Sequence, residues 1–167
     1  MKEVEFLKNF LIFKNLSDSQ IKEVLGIVKH VQYPKGEAII QEGEAGDSLF
    51  IIVEGAVAIS QTLTLKLSRD DYGEREKTLT TLKAEDYIFF GEMSLLEEDV
   101  RTATVTAATD CRLMVIKKED FERLGDEDPD LGYKIVRSIA RVISTRLRKA
   151  NRDILKLTTA LSVALSK

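Results

Sequence analysis

Apolar positions along the chain change period twice. Phe6, Phe10, Ile12 and Phe13 group as in a helix or helical turn, and Ser17 stands where an N-cap would open a second helix carrying Ile21, Val24, Leu25 and Val28. From Val31 to Ile116 the pattern becomes short β-branched runs. They are separated by the turn-forming clusters Pro34-Lys35-Gly36, Glu42-Gly43-Glu44, Gly46-Asp47, Glu54-Gly55 and Tyr72-Gly73. Strands at such regular spacing predict a sandwich or barrel-like roll. Leu63, Leu65 and Leu67 alternate with Thr62, Thr64 and Lys66, which predicts a longer hairpin with Asp70 to Gly73 as its turn.

Beyond about Asp130 the strand signal stops. No Pro follows Pro129 and no Gly follows Gly132, so a helix is expected to run almost to Lys167, preceded by a shorter one over Lys118 to Gly125. Its apolar residues make two stripes. Ile135, Ile139 and Val142 are expected to face the roll. Tyr133, Val136, Ala140, Ile143, Leu147, Ala150, Ile154, Leu157, Leu161 and Ala164 repeat in alternating steps of three and four, a heptad seam of about four repeats. A helix of more than thirty residues spans about 45 Å or more, longer than a small domain is wide, so the seam predicts a parallel homodimer. The expected fold is mainly β with flanking helices. Residues 1–129 would form a double-stranded β-helix, a jelly-roll-like β-roll with N-terminal helices, and residues 130–167 a long dimerisation helix.

Composition narrows the function. With 167 residues and 44% apolar content, one core with an appended element is the expectation. The 25 basic and 28 acidic residues leave a net charge of −3, without the positive excess that sequence-independent binding to a phosphate backbone needs. Cys111, the single cysteine, excludes an internal disulfide and points to a reducing compartment. Met1 to Asn15 mixes charges among apolar residues unlike a signal peptide, and no run approaches the roughly 18 apolar residues of a membrane span. A cytoplasmic protein without membrane partners is expected. His30 is the only histidine and reads as a boundary residue before the roll. Without a second His, a Cys pair or a partner for nucleophilic catalysis, neither a metal site nor an enzyme is expected. Glu97, Glu98 and Asp99 read as a solvated loop.

The most informative stretch is Phe90-Gly91-Glu92-Met93-Ser94-Leu95-Leu96, followed by Arg101-Thr102-Ala103-Thr104-Val105. Gly91 permits a close backbone approach, Glu92 offers an acceptor pair suited to a ribose hydroxyl, and Arg101 offers a planar fork of donors suited to a phosphate. Met93 to Leu96 reads as a short helical turn whose N–H groups would add to an anion site. A Glu and an Arg nine residues apart also fit a surface ion pair.

In its surroundings this cassette resembles that of the cyclic nucleotide-binding domain family. A second signature, Pro34-Lys35-Gly36-Glu37, Ile40, Glu42-Gly43, Gly46-Asp47, Phe50-Ile51-Ile52 and Gly55-Ala56-Val57, is similar to the family's glycine-punctuated β-roll. The resemblance implies cAMP or cGMP as ligand, with phosphate on Arg101, ribose on Glu92, and small groups or backbone donors from Ser94 and Ala103. It also implies that the hydroxyl of Thr102 can touch guanine, and that Ala150 and Asn151 stand where catabolite activators read adenine; of these two only Asn151 can hydrogen-bond. One departure is visible. Members enter the cassette through Gly-Asp and one or two bulky residues, whereas here Glu85-Asp86 is followed by Tyr87, Ile88, Phe89 and Phe90. The extra length is expected either to form a bulge or to shift the register and move aromatic bulk toward the pocket. Relatives often continue into a helix-turn-helix domain, for which no residues remain before Lys167, so direct DNA binding is not expected. The alternative reading is a nucleotide-free dimeric scaffold that binds another protein. The residues name no downstream partner in either case.

Overall fold

A computed structural model describes residues 2–66, 72–97 and 100–166, and of residues 63–66 and 72–76 the backbone alone. Two short helices, α1 (Lys2–Leu7) and α2 (Asp18–Ile27), precede eight strands. Ser17 opens α2 with a reciprocal capping box: its Oγ accepts from the Gln20 amide at 3.2 Å, and Gln20 Oε1 accepts from the Ser17 amide at 3.2 Å. The strands are β1 (Lys29–Tyr33), β2 (Ala38–Ile40), β3 (Ser48–Glu54), β4 (Ala56–Lys66), β5 (Tyr72–Lys83), β6 (Phe89–Phe90), β7 (Thr104–Ala107) and β8 (Cys111–Lys117). They form two antiparallel sheets of order β1-β8-β3-β6 and β2-β7-β4-β5. With the flanking helices, this is the β-roll that the glycine spacing predicts.

Strand β3 shows why the roll holds together. Its run Ser48 to Ile52 is buried throughout because both faces are covered. Leu49 and Ile51 point to a core shared with Phe10 and Phe13 of the turns between α1 and α2 and with Ile21, Leu131, Ile135 and Ile139 of the helices. Phe50 and Ile52 point to a second core between the sheets, with Val57, Val105 and Leu113. Three helices follow or interrupt the strands: α3 (Met93–Leu96), α4 (Lys118–Glu127) and α5 (Pro129–Leu165). Asp128 caps α5, its Oδ1 accepting from the amides of Asp130 and Leu131 at 3.1 Å each. Ile135 and Ile139 are buried against the roll and Val142 half-buried, as the first stripe predicts. Leu147, Ile154, Leu157 and Leu161 of the second stripe are exposed. No described helix is long and apolar enough to cross a membrane.

Three expectations are adjusted. His30 does not precede the roll: it lies in β1 opposite Met114, with Nε2 3.8 Å from a Glu3 carboxylate oxygen. Tyr72 and Gly73 do not close the long hairpin but open β5, paired with Lys66 and Leu65; the turn itself lies outside the described residues, as do Glu98 and Asp99. The longer entry to the cassette is absorbed before β6 by a 3-10 turn at Ala84–Asp86 and by Tyr87, whose φ of 50° is left-handed. Its ring packs edge-on against Phe6 and Phe10 at 6.1 and 5.6 Å, away from the cassette. Phe89 and Phe90 then pair with Ile51 and Phe50, so Phe89 enters the helix-side core and Phe90 stacks on Phe50 at 5.1 Å.

Candidate functional site

A cleft of about 180 Å³ opens where α3 meets the end of the roll. Gly91 to Ser94 form one wall and Arg101 to Ala103 another, while Ile40, Ile59, Phe90 and Val105 form an apolar floor and Arg146 reaches in from α5. The two halves of the cassette thus converge, including Gly91, Glu92, Met93, Ser94, Arg101, Thr102 and Ala103. Asn151 does not join them: it is exposed on α5, five residues beyond Arg146 and outside the cleft lining.

Arg101 is held at both ends. Its amide donates to Glu44 O at 2.7 Å and its carbonyl accepts from the Gly43 amide at 2.9 Å, so the glycine turn fixes the backbone. Its Nη1 donates to Ser94 Oγ at 2.7 Å, its Nη2 donates to Ser48 O at 3.0 Å, and the guanidinium lies 5.8 Å from the Phe50 ring centroid. Burial pushes its pKa down and the nearby Asp47 carboxylate pushes it back up, but an arginine remains charged at neutral pH. Asp47 itself is held below the usual carboxylate range by hydrogen bonds from Lys117 Nζ and Ser48 Oγ, each at 2.6 Å.

Two glycines make room for this arginine. Gly91 has φ +76°, and a Cβ there would stand 2.7 Å from Ser48 O and 2.9 Å from Arg101 Nη1. A Cβ at Gly46 would stand 2.3 Å from Ser94 Oγ and 2.5 Å from Arg101 Nε. Gly46 reads in the sequence as a corner of the roll; in the fold it is also part of the arginine's seat.

Glu92 is only 4% exposed, and its Oε1 accepts from Arg146 Nη1 of α5. Arg146 Nη2 donates to Phe89 O at 3.2 Å, and its guanidinium lies 5.8 Å from the Phe89 ring centroid. Sequence reasoning gives Arg146 no role in the cleft. The available signal is its position: Ile135, Ile139, Val142 and Arg146 continue one stripe in steps of four, three and four, so a charge stands on the face that packs on the roll. Ser48 was missed too, because its contribution is a backbone carbonyl. The expected supply of free amides from α3 is reduced, since those of Ser94 and Leu95 donate to the carbonyls of Gly91 and Glu92. Thr102 is exposed at the mouth, its carbonyl accepting from Gln61 Nε2 at 2.7 Å. Among the described residues no group of three or more His, Cys, Asp or Glu could hold a metal ion.

The model of the cyclic nucleotide-binding domain matches residues 30–128. The chain is 29% identical to a CRP-like cAMP-activated global transcriptional regulator of Mycobacterium tuberculosis, over 92% of this chain and 62% of that protein. It is 34% identical to the cGMP-dependent protein kinase, isozyme 1, of Drosophila melanogaster, over 72% of this chain and 15% of that protein. It thus spans less than two thirds of either relative. The crystal structure of the N-terminal domain of a transcriptional regulator from Streptomyces coelicolor A3(2) superposes with a TM-score of 0.70 at 30% identity, covering 89% of this chain and 94% of that one. The cassette, the two-sheet roll and the matched residues agree: the chain belongs to the cyclic nucleotide-binding domain family.

Proposed function

We propose that this chain is a regulatory module, not an enzyme, that binds a cyclic mononucleotide with its phosphate on Arg101 and a ribose hydroxyl on Glu92. The observation that carries this reading is the convergence of a half-buried guanidinium and a buried carboxylate on one cleft whose floor is apolar. The phosphate meets a charge already positioned by Ser94 and Ser48, so little side-chain entropy is lost on binding. The carboxylate has two oxygens; Arg146 takes Oε1 and the other serves a ribose hydroxyl. The same Glu92 therefore touches both ligand and α5, and a nucleotide that prefers one position of α5 shifts its population.

The base extends from the apolar floor toward the mouth, where Thr102 stands. Asn151 reaches it only by movement of α5 or from the α5 of a second copy. Since one relative is described as cAMP-activated and another as cGMP-dependent, both nucleotides are candidates. In this reading residues 1–129 form the binding unit and 130–167 the output helix.

Isothermal titration of ligand-free protein with cAMP and with cGMP, in parallel on Arg101→Ala, tests the proposal. Loss of a desolvated phosphate partner costs about 2 to 5 kcal/mol, or roughly thirty-fold to several-thousand-fold in affinity. Absence of heat with either nucleotide, with an unchanged melting temperature, would favour the nucleotide-free dimeric scaffold.

A further inference from the structure

On a wheel of 3.6 residues per turn, α5 has three faces. Ile135, Ser138 and Ile139 are buried on the roll, the heptad seam forms a second face, and a third is basic. Between Leu131 and Arg152 there are seven Lys or Arg and no Asp or Glu. Arg146 is turned to Glu92, but Arg137, Arg141, Arg148 and Arg152 lie within an arc of about 60° and along about 22 Å of helix. All four are exposed, and among the described residues none is paired with a carboxylate. Arg137 lies over the Tyr133 ring at 5.9 Å, and Arg148 donates to Thr145 Oγ1 at 3.1 Å. Like charges four residues apart, as in Arg137 with Arg141 and Arg148 with Arg152, repel each other and weaken a helix. Opposite charges at that spacing would relieve the repulsion, yet the segment has none.

We infer that this basic face of α5 docks an acidic segment of a partner protein. The face is about 130° round the helix from the heptad seam, so pairing through the seam leaves it open. Four arginines in a row suit carboxylates, each of which an Arg fork can take with two parallel bonds. The remainder of the molecule argues against a longer polyanion. The whole chain carries −3 and this segment +7, so the other residues carry −10. Glu119, Glu122, Asp126 and Glu127 concentrate part of that charge on α4, which packs against the start of α5. A nucleic-acid duplex or an anionic membrane extends past the stripe into the negative field of the remaining residues. A short acidic helix or strand covers the stripe alone. This inference does not rest on nucleotide binding.

The test is fluorescence anisotropy at about 0.15 M salt, where long-range attraction is largely screened, with three probes. They are a labelled Glu-Ala repeat peptide of about 20 residues, a duplex DNA of about 20 base pairs and phosphatidylserine vesicles, each titrated with the full chain and with Arg141→Glu/Arg148→Glu/Arg152→Glu. The expected result is saturable binding of the peptide, weakened at least about ten-fold by the charge reversal, with binding of cAMP or cGMP to the same samples unchanged. Stronger binding of the duplex or the vesicles than of the peptide, peptide binding indifferent to the reversal, or no peptide binding would each overturn it. Loss of nucleotide binding by wild-type protein would instead count against the nucleotide reading alone.

Discussion

Arg101 is a residue whose position is determined by what is missing around it. At Gly46 and Gly91 any side chain would occupy the space of the guanidinium or its two acceptors. Gly46→Ala is therefore expected to weaken nucleotide binding by at least about ten-fold, roughly 1.4 kcal/mol, while far-ultraviolet circular dichroism stays that of the wild type. Gly91→Ala adds a left-handed penalty of about 1–2 kcal/mol, so its melting temperature falls as well. Equal affinity in Gly46→Ala and wild type would show that the seat of Arg101 is not the phosphate site. Arg146 acts differently, since it orients Glu92 from a helix that is otherwise outside the cleft. Its side chain is about half exposed, which limits the ion pair's contribution to stability. Arg146→Ala is expected to reduce nucleotide affinity less than Arg101→Ala does, and to be separable from it by calorimetry.

Between elements, one polar bracket joins α2 to the start of α5. Gln20, 7% exposed, donates from Nε2 to Asp128 Oδ2 at 3.0 Å and Asp130 Oδ2 at 2.9 Å, and accepts from Lys134 Nζ at 3.3 Å. Hydrogen bonds from Gln20 and the Leu131 amide hold Asp128 below the usual carboxylate range; bonds from Lys134 and then Gln20 do the same for Asp130. Carboxyls that titrate lower in the fold than in the unfolded chain stabilise fully above about pH 4, and that contribution is lost as pH falls through the folded values. Thermal melts between about pH 5 and pH 3 should therefore show a steeper loss of stability for wild type than for Gln20→Leu. Parallel pH profiles would remove Gln20 from the bracket.

Ser17 as a cap, the strand punctuation and the roll-facing stripe were legible because each is a local pattern of period or turn chemistry. The role of Gln20 was hidden, because its partners lie more than a hundred positions away. The sheet order β1-β8-β3-β6 was hidden for the same reason: it joins the first strand to the last. Glu92 and Arg101 were readable as a cassette because they lie nine residues apart, whereas Arg146 comes from another element 54 residues on.

At the scale of the whole molecule, α5 has more apolar surface than its own roll covers. Leu147, Ile154, Leu157 and Leu161 are between 58% and 71% exposed, on one seam with the exposed Tyr133 and Val136. Each Leu or Ile left in water forgoes roughly 1.5–3 kcal/mol available on full burial. A second copy would supply a matching seam, because steps of three and four place the same residues opposite each other in a parallel pair. Sedimentation equilibrium should accordingly give a mass about twice the 18.8 kDa of the chain. Ile154→Asp/Leu161→Asp puts carboxylates of like sign across the seam and should return it to the monomer mass. These positions lie beyond Arg146, on the part of α5 that leaves the roll, so the variant keeps Arg101, Glu92 and their partners. If it binds nucleotide like wild type, the cleft is complete within one chain; if affinity falls with the loss of the dimer, the second α5 contributes to the site, and Asn151 is the residue to substitute next. A wild-type chain sedimenting at the monomer mass would refute self-pairing and leave the seam to a different helix.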